Sequence, residues 1–183
     1  MRRYIPVLSA AAVLILVDQL TKHWAVSTLC IGLQSDCTQS VDLVGGLKFK
    51  LAFNQGMAFS QFSSSGALIG VIGIGIVAGL LWFARLLPSL WSRIVVGLVI
   101  GGAVGNLVDR AFRAPIPGNP TGFMRGAVVD FIWTSWWPTF NVADSAVVVG
   151  GILLAIVAWR LPDPEPDAEP TPEPQVESED EPA

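Results

Sequence analysis

The chain has 183 residues, of which 52% are hydrophobic and only 14% are charged. Soluble domains carry about 25% charged residues, so this composition excludes an ordinary water-soluble domain and favours an integral membrane protein. The formal net charge of −4 averages two unlike parts, because residues 1–160 hold eleven basic and six acidic residues whereas residues 161–183 hold nine acidic residues, seven prolines and no basic residue.

Four apolar segments, taken in chain order, predict four membrane-spanning helices. A membrane-spanning helix needs roughly 20 residues, so each apolar segment is extended by its flanking residues. The predicted spans cover about residues 5–24, 66–84, 93–110 and 142–160. The first segment follows two arginines, as a signal peptide would, but "DQLTKHW" comes after it in place of a small-x-small cleavage site. We therefore expect a retained span.

The connection between the first two spans predicts a small sheet. Apolar and other residues alternate strictly from Leu47 to Phe53, which is the period-two pattern of a short strand with one apolar face. Such a strand would place Asn54 at the edge of a sheet on the membrane surface; a plain interfacial loop is the alternative. Cys30 and Cys37 lie in the same connection and are consistent with either a disulfide or two free thiols.

Other features of the chain predict packing and solvation. Gly75 and Gly79, like Gly101 and Gly105, form small-xxx-small pairs, which we interpret as ordinary helix packing. A tryptophan cluster before the fourth span is typical of a headgroup-level anchor. Residues 161–183 cannot bury enough apolar surface to offset their ordering entropy, which predicts a disordered, acidic, Pro-rich tail after a membrane domain of residues 1–160.

Polar residues concentrate on one membrane face. Because four spans alternate in direction, the end of the first and third spans, the start of the fourth and the longer connections share one face. The polar residues at those places are Asp18, Asn54, Asn106, Asp109, Arg110, Asp130, Asn141 and Asp144. Such costly groups at one membrane depth are the usual mark of a functional site.

Spacing groups these residues further. Asn106 and Asp109 are three residues apart, as are Asn141 and Asp144, so each pair lies on one helical face. Asp18 and Lys22, four residues apart, would be neighbours across one turn and are also consistent with a simple ion pair at a helix end. Asn141 is equally a favoured N-cap residue for the fourth span.

Paired carboxylates indicate the chemistry. Two carboxyl groups close together in a low dielectric cannot both ionise cheaply, so one keeps a proton while the other stays charged. Such a pair can deprotonate water and later protonate a leaving amine. His23 is the only histidine, which excludes a two-histidine zinc-protease site and weakens a Ser/His triad. The rivals are a small ion- or proton-coupled transporter with carboxylate sites, and a non-catalytic membrane assembly factor.

Five short blocks together resemble the lipoprotein signal peptidase (signal peptidase II) family. They are "DQLTK" at 18–22, "FNQGMAF" at 53–59, "GGAVGNLVDR" at 101–110, "VVDFI" at 128–132 and "FNVADS" at 140–145. The resemblance implies a membrane aspartyl endopeptidase that removes the signal peptide from diacylglyceryl-modified bacterial prolipoproteins. In the family the catalytic pair corresponds to Asp130 and Asp144, and the supporting residues carry over as Asp18, Lys22, Asn54, Gly56, Asn106, Asp109, Arg110 and Asn141.

The resemblance also sets expectations about surroundings. The fold would be an all-α bundle of four membrane-spanning helices with a small extracytoplasmic β-sheet between helices one and two. Basic residues number five on the side of the termini and six on the other, which is nearly a tie. The location of the family decides the orientation. It implies a protein of the bacterial inner membrane with both termini and the tail in the cytoplasm and the site on the extracytoplasmic face. A monomer is expected among membrane lipid, with no cofactor, no metal and no nucleic acid.

Overall fold

The computed structural model describes residues 2–30, 37, 39–56, 65–117 and 121–159. Within these ranges the α-helices are α1 (Ile5–Leu29), α2 (Ser65–Ala84), α3 (Leu90–Phe112) and α4 (Val142–Trp159). The strands are β1 (Ser40–Asp42), β2 (Lys48–Asn54) and β3 (Val128–Trp133). The predicted acidic tail, residues 161–183, lies outside the described residues.

Three helices in the described part of the chain are long and apolar enough to cross a membrane. They are Arg2–Leu29, which includes α1, Ala67–Ala84 within α2, and Leu90–Phe112, which is α3. The apolar part of α4, Val142–Val157, is shorter. Large apolar side chains such as Leu16, Ile72 and Ile152 are exposed on these helices, as expected where hydrocarbon replaces water. The protein is thus a multi-pass membrane protein, and a fourth span along α4 remains a prediction.

Helix α1 is five residues longer than the predicted span 5–24. The extra turn buries Ala25 and Leu29 against the sheet, together with Leu51 and Val129. Packing against the sheet therefore continues the helix beyond the point where the apolar segment of the sequence ends.

Helix α3 lies at the centre of the bundle and packs against the other three helices. Its glycines permit this: a Cβ on Gly101 would lie 2.8 Å from the Ala11 carbonyl oxygen of α1. Of the two predicted small-residue pairs, Gly101 and Gly105 lie at a helix contact, whereas Cβ atoms on Gly75 and Gly79 would meet nothing within 4 Å. Small residues thus matter in α3, where backbones approach closely.

The three strands form one antiparallel sheet in the order β1-β2-β3. The predicted strand at 47–53 is confirmed as β2, and β1 comes from the same connection. The expectation of a sheet between helices one and two was incomplete, because β3 comes from the connection between α3 and α4. The sequence "VVDFIW" lacks period-two alternation, since four of its six residues are buried. In register, Ala52 of β2 pairs with Asp130 of β3.

A disulfide joins Cys30 and Cys37. Cys30 ends α1, and both cysteines pack against the apolar cluster that includes Leu51 and Phe131. Of the two alternatives open from the sequence, the structure has the disulfide. The disulfide joins Cys37, which precedes the sheet in the chain, to the end of α1.

Candidate active site

The predicted polar residues come together where α1, the C-terminal end of α3 and the N-terminal end of α4 meet the sheet. The helix α1 contributes Asp18 and Lys22, and α4 begins next to them. Hydrogen bonds join residues as far as 125 positions apart in the sequence. The residues that the sequence placed on one membrane face are therefore one connected cluster.

Asp130 is the most enclosed carboxylate of the predicted pair, with 3% of its surface exposed. Its Oδ1 accepts a hydrogen bond of 2.7 Å from Asn141 Nδ2, and its Oδ2 accepts one of 3.1 Å from Asn54 Nδ2. Burial, and then the negative charge of Asp144, raise the pKa of Asp130 from 3.8 to about 7, against the opposing effect of the two amide donors. Asp130 can therefore hold a proton near neutral pH.

Asn54 is aimed at Asp130 by the turn that follows β2. The backbone N–H of Gly56 donates a 2.8 Å hydrogen bond to Asn54 Oδ1, which leaves the Nδ2 group directed at the carboxylate. Gly56 has a φ of 89°, a backbone conformation that residues with a Cβ rarely adopt. The predicted supporting role of Gly56 thus has a geometric basis in the orientation of Asn54.

Asp144 lies in the first turn of α4 and is half-buried. Its Oδ1 accepts a hydrogen bond of 2.8 Å from Asn106 Nδ2, and its Oδ2 accepts one of 3.1 Å from the backbone N–H of Asn141. In return Asn141 Oδ1 accepts 2.9 Å from the N–H of Asp144. This reciprocal pair is a capping box, so Asn141 does cap α4. The cap also fixes the carboxylate of Asp144 at the helix N-terminus.

Lys22 is fully buried and is bound by three acceptors. Its Nζ lies 2.8 Å from Asp18, 2.9 Å from Asp109 and 2.9 Å from Asn106 Oδ1. The predicted pairing of Asp18 and Lys22 across one turn is therefore present, but it is one part of a larger network. Since an ammonium group has three N–H bonds, Lys22 is satisfied and ties α1 to α3.

The two carboxylates on Lys22 also hold the backbone beside the predicted catalytic pair. Asp18 Oδ1 accepts a hydrogen bond of 3.0 Å from the N–H of Ala143, the residue before Asp144. Asp109 Oδ2 accepts 3.2 Å from the N–H of Val129, the residue before Asp130. The Asp18–Lys22–Asp109 bridge therefore links the backbone of α4 to that of β3 and sets the relative position of the two carboxylates.

Two further residues in this network were missed by the sequence reasoning. Gln19 Nε2 lies 3.2 Å from Asp109 Oδ1 and 3.1 Å from the Gly105 carbonyl oxygen, and Arg113 Nε donates 2.6 Å to Asp109 Oδ1. Gln19 adjoins Asp18, and neighbouring positions do not share a helical face, so spacing gave no signal for it. Arg113 lies four residues after Asp109, which is a spacing that would have revealed it.

Arg110 differs from the other residues because its Nη1 is buried without a hydrogen-bond partner in the described part of the chain. Its side chain is 7% exposed and interacts electrostatically with Asp130 and Asp144. It lines a cleft of about 380 Å³ between α2, α3 and α4 that also contains Asn106 and Asp144, here called the polar cleft. Arg110 thus brings a cationic side chain to the lining of the polar cleft and also has one buried nitrogen without a partner.

Asp144 also lines a second cleft, of about 460 Å³, here called the aromatic cleft. Its walls include Trp137 and Phe140 from the connection between β3 and α4, and Val149 from α4. The half-buried carboxylate of Asp144 therefore faces two open spaces, whereas Asp130 lies behind it in the protein.

Comparisons with known proteins identify the family of this chain. The model of the family described as Signal peptidase (SPase) II matches residues 10–160. A lipoprotein signal peptidase of Mycobacterium leprae (strain Br4923) is 43% identical over 158 residues, covering 86% of this chain and 73% of the relative. One of Rhodococcus jostii (strain RHA1) is 43% identical over 148 residues, covering 80% of this chain and 69% of the relative.

Solved structures show the same fold. A bacterial membrane enzyme determined by the in meso method at 2.3 Å resolution is 26% identical, with a TM-score of 0.66 over 90% of this chain and 94% of that one. A second such structure, at 1.9 Å resolution, is 27% identical with a TM-score of 0.66, covering 84% and 92% of the two chains. The chain therefore belongs to the signal peptidase II family of proteases.

Proposed function

We propose that this protein is an aspartyl endopeptidase that cleaves the signal peptide from diacylglyceryl-modified prolipoproteins. One observation carries the proposal: Asn141 hydrogen-bonds both Asp130 and Asp144, one of them buried with a pKa of about 7. A pair in which one carboxyl is protonated and the other ionised at neutral pH is what direct attack of water on a peptide bond requires.

The surroundings suggest how the roles divide. Asp130, being buried, carries the proton and acts as the acid; Asp144, half-buried and open to both clefts, is the ionised base. Asp144 takes a proton from water as the resulting hydroxide attacks the peptide carbonyl carbon, while Asp130 protonates the carbonyl oxygen. When the intermediate collapses, Asp144 passes its proton to the leaving amine and one of the two hydroxyl groups of the intermediate returns a proton to Asp130, which restores the starting state. No covalent enzyme intermediate forms.

Arg110 supports the binding of a peptide. Arg110 lines the polar cleft together with Asn106 and Asp144, and its Nη1 is buried without a hydrogen-bond partner among the described residues. A buried donor without a partner is costly, and a substrate carbonyl oxygen would satisfy it. In the proposed function, Arg110 therefore holds the substrate backbone while the dyad acts on the adjacent bond.

The disulfide supports the orientation of the protein. Disulfides persist in oxidising compartments, and Cys30–Cys37 lies at the end of α1 that packs against the sheet to which Asp130 belongs. We therefore place the site on the extracytoplasmic face of the bacterial inner membrane. With four spans, both termini and residues 161–183 are cytoplasmic. We propose that the protein acts as a monomer within membrane lipid.

Cleavage of a lipidated prolipoprotein by the purified protein in detergent tests the proposal. We expect Asp130→Asn and Asp144→Asn each to lower the cleavage rate by at least 10³-fold while thermal unfolding shows that both stay folded. Asp42→Asn is the matched control, because Asp42 is exposed in β1 and pairs with Lys48. Full activity in either active-site variant would refute the dyad.

The same preparation separates the rival function. Wild-type protein that leaves the prolipoprotein intact, but gives ion-dependent flux when reconstituted in liposomes, would favour the transporter. The position of the carboxylates argues against it, because Asp130 lies in a strand outside the helices and Asp144 at a helix start. Coupled transport is expected to use carboxylates near mid-span.

A further inference from the structure

The end of the bundle away from the polar cluster is rich in arginine. At this end the start of α1, the end of α2 and the start of α3 pack together through Val7, Ala84 and Val96. The described acidic residues lie elsewhere, four in the polar cluster and one in β1. The described part of this end, here called the arginine end, is therefore positively charged, and its basic residues are Arg2, Arg3, Arg85 and Arg93.

Helix α4 ends at the arginine end and leads into the acidic tail. It starts beside Asn106 near the end of α3, and a Cβ on Gly150 would lie 3.6 Å from the Val95 carbonyl oxygen near the start of α3. The two helices therefore run antiparallel, which brings Trp159, the last residue of α4, to the arginine end. In the sequence Arg160 follows, and then the tail with nine acidic residues and no basic one. These acidic side chains therefore follow a region where the described residues supply only positive charge.

The arginines leave part of this negative charge available. Arg93 already donates from Nε and Nη2 to the Leu87 carbonyl oxygen, at 3.1 and 2.8 Å. The Arg85 guanidinium lies 4.6 Å from the centre of the Trp82 ring. With Arg160 counted, the nine acidic residues of the tail outnumber the five arginines. The arginine end and the tail together are thus negatively charged, and the tail suits a cationic partner.

The proposed substrate brings a cationic segment to this place. A signal peptide carries a positively charged n-region before an apolar h-region of about 7 to 15 residues. As a helix with a rise of about 1.5 Å per residue, that h-region spans roughly 10 to 22 Å. Asp144 and Trp159 are 15 positions apart in α4, or about 22 Å along its axis. A substrate cleaved at Asp144 with its h-region alongside α4 therefore presents its n-region near the end of α4.

We infer that the acidic tail binds the positively charged n-region of the signal peptide. The inference rests on the proposed function, because only a substrate with a signal peptide brings such a segment to the arginine end. Pro-rich segments extend by about 3.1 Å per residue, so the first four acidic residues of the tail reach up to about 30 Å from Trp159. That range includes the expected place of the n-region. Without the tail, the arginines would repel the n-region, because like charges repel.

This contact acts on the capture of the substrate. A charged site raises the local concentration of an oppositely charged partner by about tenfold or more. The tail follows the end of α4 opposite to Asp144, so its charges act at a distance from the reacting bond. We therefore expect an effect on KM with an unchanged kcat. The effect should weaken with salt, because the screening length falls from about 10 Å at 0.1 M to about 3 Å at 1 M ionic strength.

Neutralising the tail tests the inference. The substrates are two prolipoproteins with the same lipid, one with lysines in its n-region and one with glutamines in their place. In neutral detergent at low salt, we expect the neutralised variant to lower the ratio of kcat/KM for the lysine substrate to that for the glutamine substrate by about tenfold, through KM. An unchanged ratio would overturn the inference. The variant combines Asp163→Asn, Glu165→Gln, Asp167→Asn, Glu169→Gln, Glu173→Gln, Glu177→Gln, Glu179→Gln, Asp180→Asn and Glu181→Gln.

Asp42→Asn is the matched control, because it removes an exposed carboxylate in β1, away from the arginine end. It should keep the wild-type ratio, and the preference of wild type for the lysine substrate should disappear in about 1 M salt. A neutralised tail that changes the cleavage of both substrates equally would mean that the tail acts on the arginine end or on lipid, and would contradict the inference. If wild type cleaves neither substrate, the proposed function fails and the inference falls with it.

Carbodiimide crosslinking gives a second test that does not depend on rates. This reagent joins a carboxylate directly to an amine in contact with it. The lysines of the chain, Lys22, Lys48 and Lys50, lie away from the arginine end, so a lysine joined to the acidic tail comes from the substrate. With the lysine substrate bound to Asp130→Asn, we expect crosslinks between its n-region and residues 161–183, located by mass spectrometry. Crosslinks of the n-region only to other carboxylates, or no crosslinks at all, would refute binding by the tail.

Discussion

The side-chain amide of Asn141 donates a 2.7 Å hydrogen bond to Asp130, and the two residues belong to different elements. Asp130 lies in β3, whereas Asn141 caps α4 and donates its backbone N–H to Asp144 at 3.1 Å. One residue therefore fixes both proposed catalytic carboxylates. Its helix-capping role and its role in the site use different atoms, so substitutions can separate them.

Asn141→Ser and Asn141→Ala should separate the two roles. Both variants lose the hydrogen bonds that Nδ2 donates to Asp130 and to the Val129 carbonyl oxygen, so both should be less stable than wild type. Because serine also caps helices well, Asn141→Ser should be more stable than Asn141→Ala by about 1 kcal/mol. Neither side chain can donate as Asn141 Nδ2 does to Asp130, so both should lose cleavage by at least about tenfold. Thermal unfolding and initial rates measure the two effects. Wild-type activity in Asn141→Ser would show that the bond to Asp130 is dispensable.

The raised pKa of Asp130 predicts a pH-dependent loss of stability. Because the pKa is about 7 in the folded protein and 3.8 ordinarily, the folded state keeps a proton that the unfolded state releases between these values. The stability contributed by this proton is fully present below about pH 4 and is lost as the pH rises through 7. We expect the Tm of wild type to fall more than that of Asp130→Asn between pH 4 and pH 8.

The difference in unfolding free energy between the two proteins should change across this window by at most on the order of 4 kcal/mol. Asp144→Asn provides a control, since the charge of Asp144 is the second cause of the raised pKa. In that variant the loss of stability should be complete at a lower pH. Parallel Tm curves for wild type and Asp130→Asn would contradict the assignment of the proton to Asp130.

Gly105→Ala should disturb the site through a contact with Asp18. A Cβ at this position would lie 2.6 Å from Asp18 Oδ2, so the carboxylate must move away from Lys22. We expect a loss of about 1 to 3 kcal/mol in stability, as for overpacking, together with slower cleavage. Gly79→Ala is the control, because its Cβ would meet nothing within 4 Å. Equal effects of the two substitutions would show that contact with Asp18 is not responsible.

Lys22→Met should be strongly destabilising, because it leaves the buried carboxylates of Asp18 and Asp109 without their shared cation. Breaking a buried ion pair in this way costs about 3 to 5 kcal/mol. Adding Asp18→Asn should recover part of the loss, because the amide is neutral and its oxygen can still accept from Ala143. Thermal unfolding in detergent measures the cycle. A double variant less stable than Lys22→Met would argue against charge as the cause.

Local patterns in the sequence predicted the helices, one strand and most of the polar cluster, but not β1, β3, Gln19 or Arg113. The apolar segments predicted the helices, because hydrocarbon tolerates few charges, and alternation of spans collected Asp18, Asp109 and Asp144 on one face. The period-two pattern predicted β2. The sequence "VVDFIW" gave no such pattern, because β3 is buried on both faces, and α1 ran past its apolar segment.

The pairing within the cluster was decided only by tertiary structure. Spacing of three or four residues showed that Asp18 and Lys22 are neighbours, but it carried no information on contacts between helices. Asp18 meets Ala143 across 125 residues, and Asn106 meets Asp144 across 38. These contacts exist because glycines let α3 approach its neighbours and because the sheet sets Asp130 over the start of α4. The sequence by itself determined which side chains could form the site; the packing of helices and strands decided which oxygen each donor reaches.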